Sequence, residues 1–517
     1  MPSIPSSRAE PRAPASSPAP PRGELDYLLL SDIHLGSDIV PHLRPWAARD
    51  WLAHEAEVDA QLEAMLAHHR ATRTQGRPLC VVIAGDFLDF TGMSLAATSP
   101  LRTQPTWEER TYGLGSAADH AVRKMHAIGD RHPRVFRALA ALLVEGNQLV
   151  VVHGNHDIEL HWRAVRRALV QVVAAHAPAH ARGDVATRIA FAPWFFAVEG
   201  LLYVEHGHHF DPMCSFGDPL SPTCPRDSRR IRGVPFSIML RNVARPTRGL
   251  STASYEHSSF GAYLGLLRKL GLAGSARIAL RFARASWRLL DEWQAHALGE
   301  CRRRVHAARV RRDRFAARAS VPPERLHALQ SLYAQPAASN LLFVTRSLYL
   351  DRVLAILTCA AMVAYAVLSG HDFGRLEGIL FALSATLFAA YAVVGMDRQI
   401  LPTRRMQESA DDIAGMFGAR WVVMGHTHQP GVHALEGERR YVNLGHWGED
   451  DLPEERGGEA SPCSYLHLRR VAEGDYRGDL MRWDRRLGPL PMPTPSTPRD
   501  ASRGRRPGSR ALGQLPA

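Results

Sequence analysis

Five short apolar runs of this chain end in knots of side chains able to bind metal or move protons. They read "DYLLLSDIHLG" from Asp26, "LCVVIAGDFLD" from Leu79, "VVHGNHDIEL" from Val151, "GLLYVEHGHHF" from Gly200 and "ARWVVMGHTHQ" from Ala419. The endings supply Asp32 and His34; Asp86 and Asp89; Asn155, His156 and Asp157; His206 and His208; His426 and His428. One strand-end histidine is ordinarily a hydrogen-bonding residue, whereas five polar endings point to one shared site. Mixed carboxylate, imidazole and amide donors suit borderline divalent ions, with Mn²⁺ first and Fe²⁺ or Zn²⁺ as alternatives, better than Ca²⁺ or an all-thiolate site. The candidates outnumber the ligands of a single octahedral ion, and a pair of ions sharing a carboxylate would use them. Two metals ~3.5–4 Å apart clamp the attacking and leaving oxygens of an in-line phosphoryl displacement.

The elements that carry these groups follow from the same runs. Each is β-branched or Leu-rich, short and bounded by polar residues, and predicts a buried strand whose last residues spill out of the sheet. Ligands of open α/β sheets bind outside the carboxyl ends of the strands, so the five endings converge if the strands share a sheet edge. Gly154 is expected to permit the tight turn that presents Asn155 and His156.

The pattern resembles the calcineurin-like metallophosphoesterase superfamily, with DxH at Asp32, GDxxD at Gly85, GNHD at Gly154, HGH at His206 and GHTH at Gly425 in family order. The resemblance covers roughly 24–211 and 410–483. It implies an α/β fold, a four-layer sandwich of two mixed sheets flanked by helices. It implies that Asp32, His34 and His428 hold one metal and Asn155, His206 and His426 the other, with Asp86 bridging. A hydroxide shared by the two ions would be the nucleophile. His156 matches the family histidine beside the scissile phosphate, which stabilises the transition state or protonates the leaving oxygen. Asp89 matches the carboxylate that orients this histidine in some members, and Asp157 is the alternative orienter or a structural cap. His153, His208, His209 and His446 read as structural, although His208 has the position to touch substrate.

The rest of the 517-residue chain departs from compact relatives, because His206 and His426 are 220 positions apart. An insertion at about 212–410 separates the two halves of the site, and its ends must return to the metals. Its first part, 212–345, is helical and basic, with "CRRRVHAARVRRDRFAARA" from Cys301. Phe282, Leu289, Leu290 and Trp293 recur at helical spacing among arginines, which fits a cationic helix on anionic lipid or a solvated helix packed on its neighbour. The second part, 346–400, contains two stretches, 353–370 and 378–396, without Asp, Glu, Lys or Arg, each long enough for a membrane span. Arg346, Arg352, Arg398, Arg404 and Arg405 flank the pair, whereas the connection "HDFGRLE" holds only Arg375. By the positive-inside rule a transmembrane hairpin keeps both termini in the cytoplasm. Residues 1–23 and 487–517 read as disordered tails. The six cysteines form no CxxC pair and read as free thiols of a reducing compartment.

These features predict a dimetal phosphoesterase at the cytoplasmic membrane, its catalytic domain facing the cytoplasm, cleaving a phosphoester or pyrophosphate bond of a lipid-linked or amphiphilic substrate. The net charge of +12 fits anionic lipid or phosphorylated substrates. Among relatives, the UDP-2,3-diacylglucosamine pyrophosphatases are the nearest functional analogy, but their lid lies between the GNxD block and the next histidine, where this chain has only a modest stretch. A nuclease or cyclic-nucleotide phosphodiesterase is the alternative enzyme, with the arginine-rich insertion tracking phosphates; the hairpin argues against nucleic acid. A metal-binding membrane scaffold without turnover is the alternative of another class.

Overall fold

A computed structural model describes residues 25–40, 45–73, 76–98, 100–247, 260–297, 301–339, 402–448 and 462–492, together with Gly378, Phe381, Ser384, Ala385 and Phe388. Among them the strands are β1 (Asp26–Leu30), β2 (Leu79–Ala84), β3 (Gln148–Val152), β4 (Ile189–Ala192), β5 (Phe195–Val198), β6 (Leu202–Glu205), β7 (Trp421–Met424), β8 (Gly431–Ala434), β9 (Arg440–Asn443), β10 (Ser464–Ala472), β11 (Asp475–Asp484) and β12 (Gly488–Pro491). They form a seven-stranded sheet, β12-β11-β10-β1-β2-β3-β4, and a five-stranded sheet, β5-β6-β7-β9-β8. Both are mixed: β1 to β4 pair in parallel and β10 joins antiparallel, while β6, β7 and β9 are parallel between antiparallel edges.

The period-two direction of strand side chains explains the layering. Tyr27, Leu29, Val82, Ala84, Val150 and Val152 point toward the second sheet, where they share a core with Leu202, Val204, Val423 and Val442. Their neighbours Leu28, Leu30, Val81, Ile83, Leu149 and Val151 point the other way, onto a layer that includes Leu62, Met125, Phe136 and Leu169. Those four residues lie on the helices Pro45–Ala71, Ala118–Arg131, Pro133–Val144 and Arg163–Ala175. The outer face of the second sheet, through Tyr203, Val422, Met424 and Tyr441, packs on Met406, Ile413 and Phe417 of the helix Pro402–Phe417. Strands buried on both faces read as unbroken apolar runs, as β2 "LCVVIA" does.

Two boundaries differ from the sequence reading. The helix Pro402–Phe417 already belongs to the catalytic sandwich, so the second half resumes before 410. The expected C-terminal tail begins later than 487, because β12 pairs with β11 from Met481↔Pro491 to Asp484↔Gly488. Phe282 and Leu289 turn inward, packing with Met213, Ile238, Val243 and Ala285, because this helix buries one face against the rest of the insertion. Trp287, Leu280 and Leu272 take the outward positions instead, at 75%, 53% and 93% exposure.

The insertion is tied back to the catalytic half. Ala334 N–H donates to the His209 carbonyl at 3.0 Å and Ala337 N–H to that of Pro212 at 2.8 Å. The buried Tyr333 hydroxyl donates to Glu205 at 2.7 Å and receives the Trp194 indole N–H at 2.6 Å. Among the described residues no helix is long and apolar enough to cross a membrane. The predicted span 353–370 lies outside the described residues, as does 378–396 except for Gly378, Phe381, Ser384, Ala385 and Phe388. Cys80, Cys214, Cys224 and Cys463 are buried free thiols.

Candidate metal centre

The loops after β1, β2, β3, β6 and β7 bring their polar endings together. Asp32 Oδ1 lies 3.2 Å from His428 Nε2, and His34 Nε2 lies 3.4 Å from the same nitrogen. Asp86 Oδ2 lies 3.1 Å from His206 Nε2 and 3.9 Å from His34 Nε2, which places one carboxylate between two groups of imidazoles. Asn155 Oδ1 is 3.1 Å from His206 Nε2, and the His206 Nδ1–H is fixed on the Ala84 carbonyl at 2.9 Å. That bond aims Nε2 at the centre, as outer partners of a metal-ligating histidine do. His426 Nε2 meets Asp211 Oδ2 at 3.1 Å, a carboxylate the sequence reading did not single out.

These residues fit a pair of divalent ions. Asp32, His34 and His428 can present one ligand atom each within 4.8 Å of one another, and so can Asp32, Asp86 and His206. His34 Nδ1 is buried and makes no hydrogen bond among the described residues. Burial pushes the His34 imidazole down to about 3, with the neighbouring His156 adding to the effect. Burial would raise Asp86, but the imidazoles of His206 and His156 overcome it and hold its carboxyl well below the usual range. A neutral imidazole beside ionised carboxylates is the protonation state that metal binding needs.

The backbone shows how tightly the ligands are held. Among the described residues, Asp32, His34, Asp86, His426 and His428 all have positive φ, between 49° and 69°. This left-handed region costs non-glycine residues on the order of 1–3 kcal/mol each and persists where surrounding structure over-determines it. Here the loops are pinned by Ile33 and His34 N–H groups on the Asp86 carbonyl, both at 2.9 Å, and by the His426 N–H on Asp32 Oδ2 at 3.0 Å. Gly154 lacks a positive φ; it is glycine because a Cβ there would overlap the Asp86 carboxylate. Gly425 meets Asp32 in the same way.

His156 is arranged differently from the ligands. Its Nδ1–H donates to Asp89 Oδ1 at 2.8 Å, and its own backbone N–H donates to Asp86 Oδ1 at 2.9 Å. It also lies within ligand distance of His34 and Asp86, and the bond from Nδ1 to Asp89 fixes the tautomer of its ring. Burial would raise Asp89; the His156 ring and the Arg245 guanidinium, 3.0 Å from Oδ2, hold its carboxyl low. The two oxygens of Asp157 accept the Gly154 and Phe87 N–H groups at 2.6 and 2.9 Å, so this carboxylate ties two motif loops together.

Residues 25–232 match the family model of the calcineurin-like phosphoesterases. The chain carries a calcineurin-like phosphoesterase domain. It is a metallophosphoesterase, a hydrolase, and its clustered His and Asp side chains are candidate ligands for divalent metal. The match ends before His426 and His428, which the fold nevertheless brings beside Asp32. No curated protein matches the chain.

Among the remaining histidines, His208 is buried with its ring 5.5 Å from that of His206, and neither nitrogen is hydrogen-bonded among the described residues. Burial and the rings of His209 and His206 keep it neutral. The His446 Nδ1–H donates to the His428 carbonyl at 3.1 Å and its ring stacks on that of His428, so it supports a candidate ligand. Sequence reasoning missed Asp211 and Arg245. A carboxylate in "HGHHFDP" was visible, but Arg245 has no local motif and is brought in only by the fold.

Proposed function

We propose that this metallophosphoesterase is a membrane-anchored dimetal enzyme acting on a lipid-linked or amphiphilic phosphoester, with Mn²⁺ as the native ion and the catalytic domain in the cytoplasm. The observation that carries the chemistry is the His156–Asp89 pair, 2.8 Å apart, beside a shared carboxylate flanked by imidazoles. Asp32, His34 and His428 would hold one ion and Asn155, His206 and His426 the other, with Asp86 common to both. Bound ions supply a nucleophilic oxygen from water at neutral pH and neutralise phosphate charge. The chain's own part is to orient and to move a proton. Asp89 holds the His156 ring on Nδ1, so that Nε2 carries the proton for the leaving oxygen.

The membrane reading is supported by the two uncharged stretches between the ligand-bearing halves. It is also supported by an exposed face of the helix Phe260–Ala297, where Trp287, Leu280 and Leu272 stand beside the exposed Arg277 and Arg284. Apolar and cationic groups on one face suit an anionic lipid surface, worth about 1 kcal/mol per basic residue near it. The deciding experiment is hydrolysis of chromogenic phosphodiesters by metal-loaded protein, compared with Asp86→Ala and with the same substrates embedded in vesicles. Turnover that survives Asp86→Ala would refute the shared-carboxylate mechanism.

A further inference from the structure

Lys124 occupies a core position of the helix Ala118–Arg131, on the same face as Ala121, Met125 and Ile128, and is 0% exposed. A lysine is almost never fully buried unless its charge is used, and a leucine there would fill the apolar layer without that cost. The Lys124 Nζ donates to the Phe90 carbonyl at 2.7 Å. Burial and the nearby Arg241 push the amine down from 10.5 to about 8, while Glu159, Asp89 and Glu109 favour its charged form. The side chain therefore stays charged at neutral pH, and its bond to Phe90 is charge-assisted.

That bond reaches the candidate site through Phe90. The Phe90 N–H donates to the His156 carbonyl at 3.0 Å, and the preceding residue, Asp89, receives the His156 Nδ1–H at 2.8 Å. Two consecutive residues thus hold His156 by its main chain and by its ring. Asp89 is tied further by its own N–H on the Leu35 carbonyl at 2.9 Å and by the Gly92 N–H on its Oδ1 at 2.5 Å. The Phe90 ring is anchored in the apolar core, which leaves rotation of its peptide groups as the remaining freedom of this loop. A charged donor on the Phe90 carbonyl removes that freedom. Arg245 acts elsewhere, on the Asp89 carboxylate, so the two cations fix different parts of one loop.

We propose that Lys124 is a positioning residue for the His156–Asp89 pair, fixing through the Phe90 backbone the angle at which Asp89 holds the imidazole. This rests on the proton-donor role given to His156 above and extends it by one residue. The test uses full-length protein with added Mn²⁺ on methyl phenyl phosphate and methyl nitrophenyl phosphate, which differ in how much protonation the leaving oxygen needs. Lys124→Met, close to lysine in length, should keep wild-type metal content and KM. Its kcat should fall about ten- to a hundredfold on the phenyl ester, the scale of a misplaced group, and less than about threefold on the nitrophenyl ester. In a His156→Ala background the same substitution should cost nothing further on the phenyl ester, because the group it positions is gone. Equal losses on both esters, loss of metal, or additive losses in the double variant would make Lys124 a residue of the fold and overturn the proposal. Lys124→Gln, one bond too short to reach the Phe90 carbonyl, repeats the test if the methionine variant does not fold, and failure of both to fold would overturn the proposal too. His156→Ala keeps the two readings apart. Equal loss on both esters in that variant would sink the proton-donor role itself, whereas a larger loss on the phenyl ester that Lys124→Met does not share would end this inference alone.

Discussion

Arg245 donates to Asp89 at 3.0 Å across 156 positions of sequence, so the insertion reaches the carboxylate that orients His156. The sandwich therefore does not hold the His156–Asp89 pair alone. Arg245 occupies one Asp89 oxygen and His156 the other, which fixes the carboxylate plane and with it the imidazole. Arg245→Ala should keep both metals but lower kcat on the order of tenfold, about 1.4 kcal/mol of transition-state stabilisation. Arg245→Lys should restore part of it. Metal analysis beside steady-state kinetics checks this, and loss of metal in the alanine variant would assign Arg245 a structural role instead.

His156→Ala should retain metal while turnover falls by about 10² to 10⁴, the usual range for a positioned acid. The loss should be smaller for a nitrophenolate leaving group, which needs less protonation. Asp89→Asn should reproduce much of the effect, because the amide cannot accept the Nδ1–H from both of its ends equally well. A His156→Ala protein stripped of metal would make the ring a ligand.

Metal dependence gives a third test. Purified protein should bind close to two divalent ions, lose activity to a chelator and recover it with Mn²⁺. Asp86→Ala should be the most damaging ligand change, since that carboxylate faces His206 and His34 together. Asp211→Asn should weaken metal affinity by about 10- to 100-fold, the scale for losing a partner of a ligating histidine, here His426. Titration with Mn²⁺ measured by calorimetry reads both, and unchanged affinity in Asp211→Asn would make its contact with His426 incidental.

Above neutral pH stability should fall as pH rises, because of a buried cluster away from the candidate metal centre. His132 is pushed up from 6.5 to about 9, against its burial, by Asp38 and Asp59. Glu55 beside it is pushed up from 4.5 to about 8, chiefly by burial. Arg131 pairs with Asp38 at the same place. In both cases the folded chain keeps a proton that the unfolded chain has released, so the stabilisation is complete below the unfolded values and is lost as pH passes through about 8 and 9. Melting temperature should decline between pH 7 and 9, above the range in which buried neutral histidines such as His34 act the other way, and Glu55→Gln should flatten the part of the decline below pH 8. A melting temperature that rises over that interval would contradict the assignment.

The five strand endings were legible because strands buried on both faces write themselves as apolar runs, and because "GNHD" or "GHTH" stands out after such a run. The sandwich was implied only by the family resemblance, since in an unbroken apolar run nothing in residue type tells that Leu28 and Leu29 face different layers. Strands β8 and β9 were harder to see, because "GVHA" and "RYVN" form no apolar run, and β11 carries polar residues on its exposed face. The left-handed backbone of Asp32, His34, Asp86, His426 and His428 leaves no trace in residue type, because it is imposed by hydrogen bonds from other loops. Arg245, Tyr333 and Arg241 were invisible for a related reason. Their partners lie far away in sequence, and only closure of the insertion onto the sandwich selects them from the many arginines and tyrosines of the chain.

The insertion also fixes a topological expectation. His426 lies beside Asp211 and His428 beside Asp32, so both halves of the site must be on one side of any membrane the chain meets. A single span between them would separate the ligands, and two spans return the chain, with the short connection around Gly374 outside. A cysteine introduced at Gly374 should react with an impermeant label in intact cells, whereas one in the N-terminal tail should react only after permeabilisation. Replacing 353–396 with a flexible linker should release the protein and spare hydrolysis of a small soluble diester, while lowering activity on a vesicle-embedded substrate. Equal loss on both substrates would mean that this segment supports the catalytic fold itself. Full retention on both would remove the reason for placing the substrate in a membrane, because the uncharged stretches would then contribute nothing to reaching it.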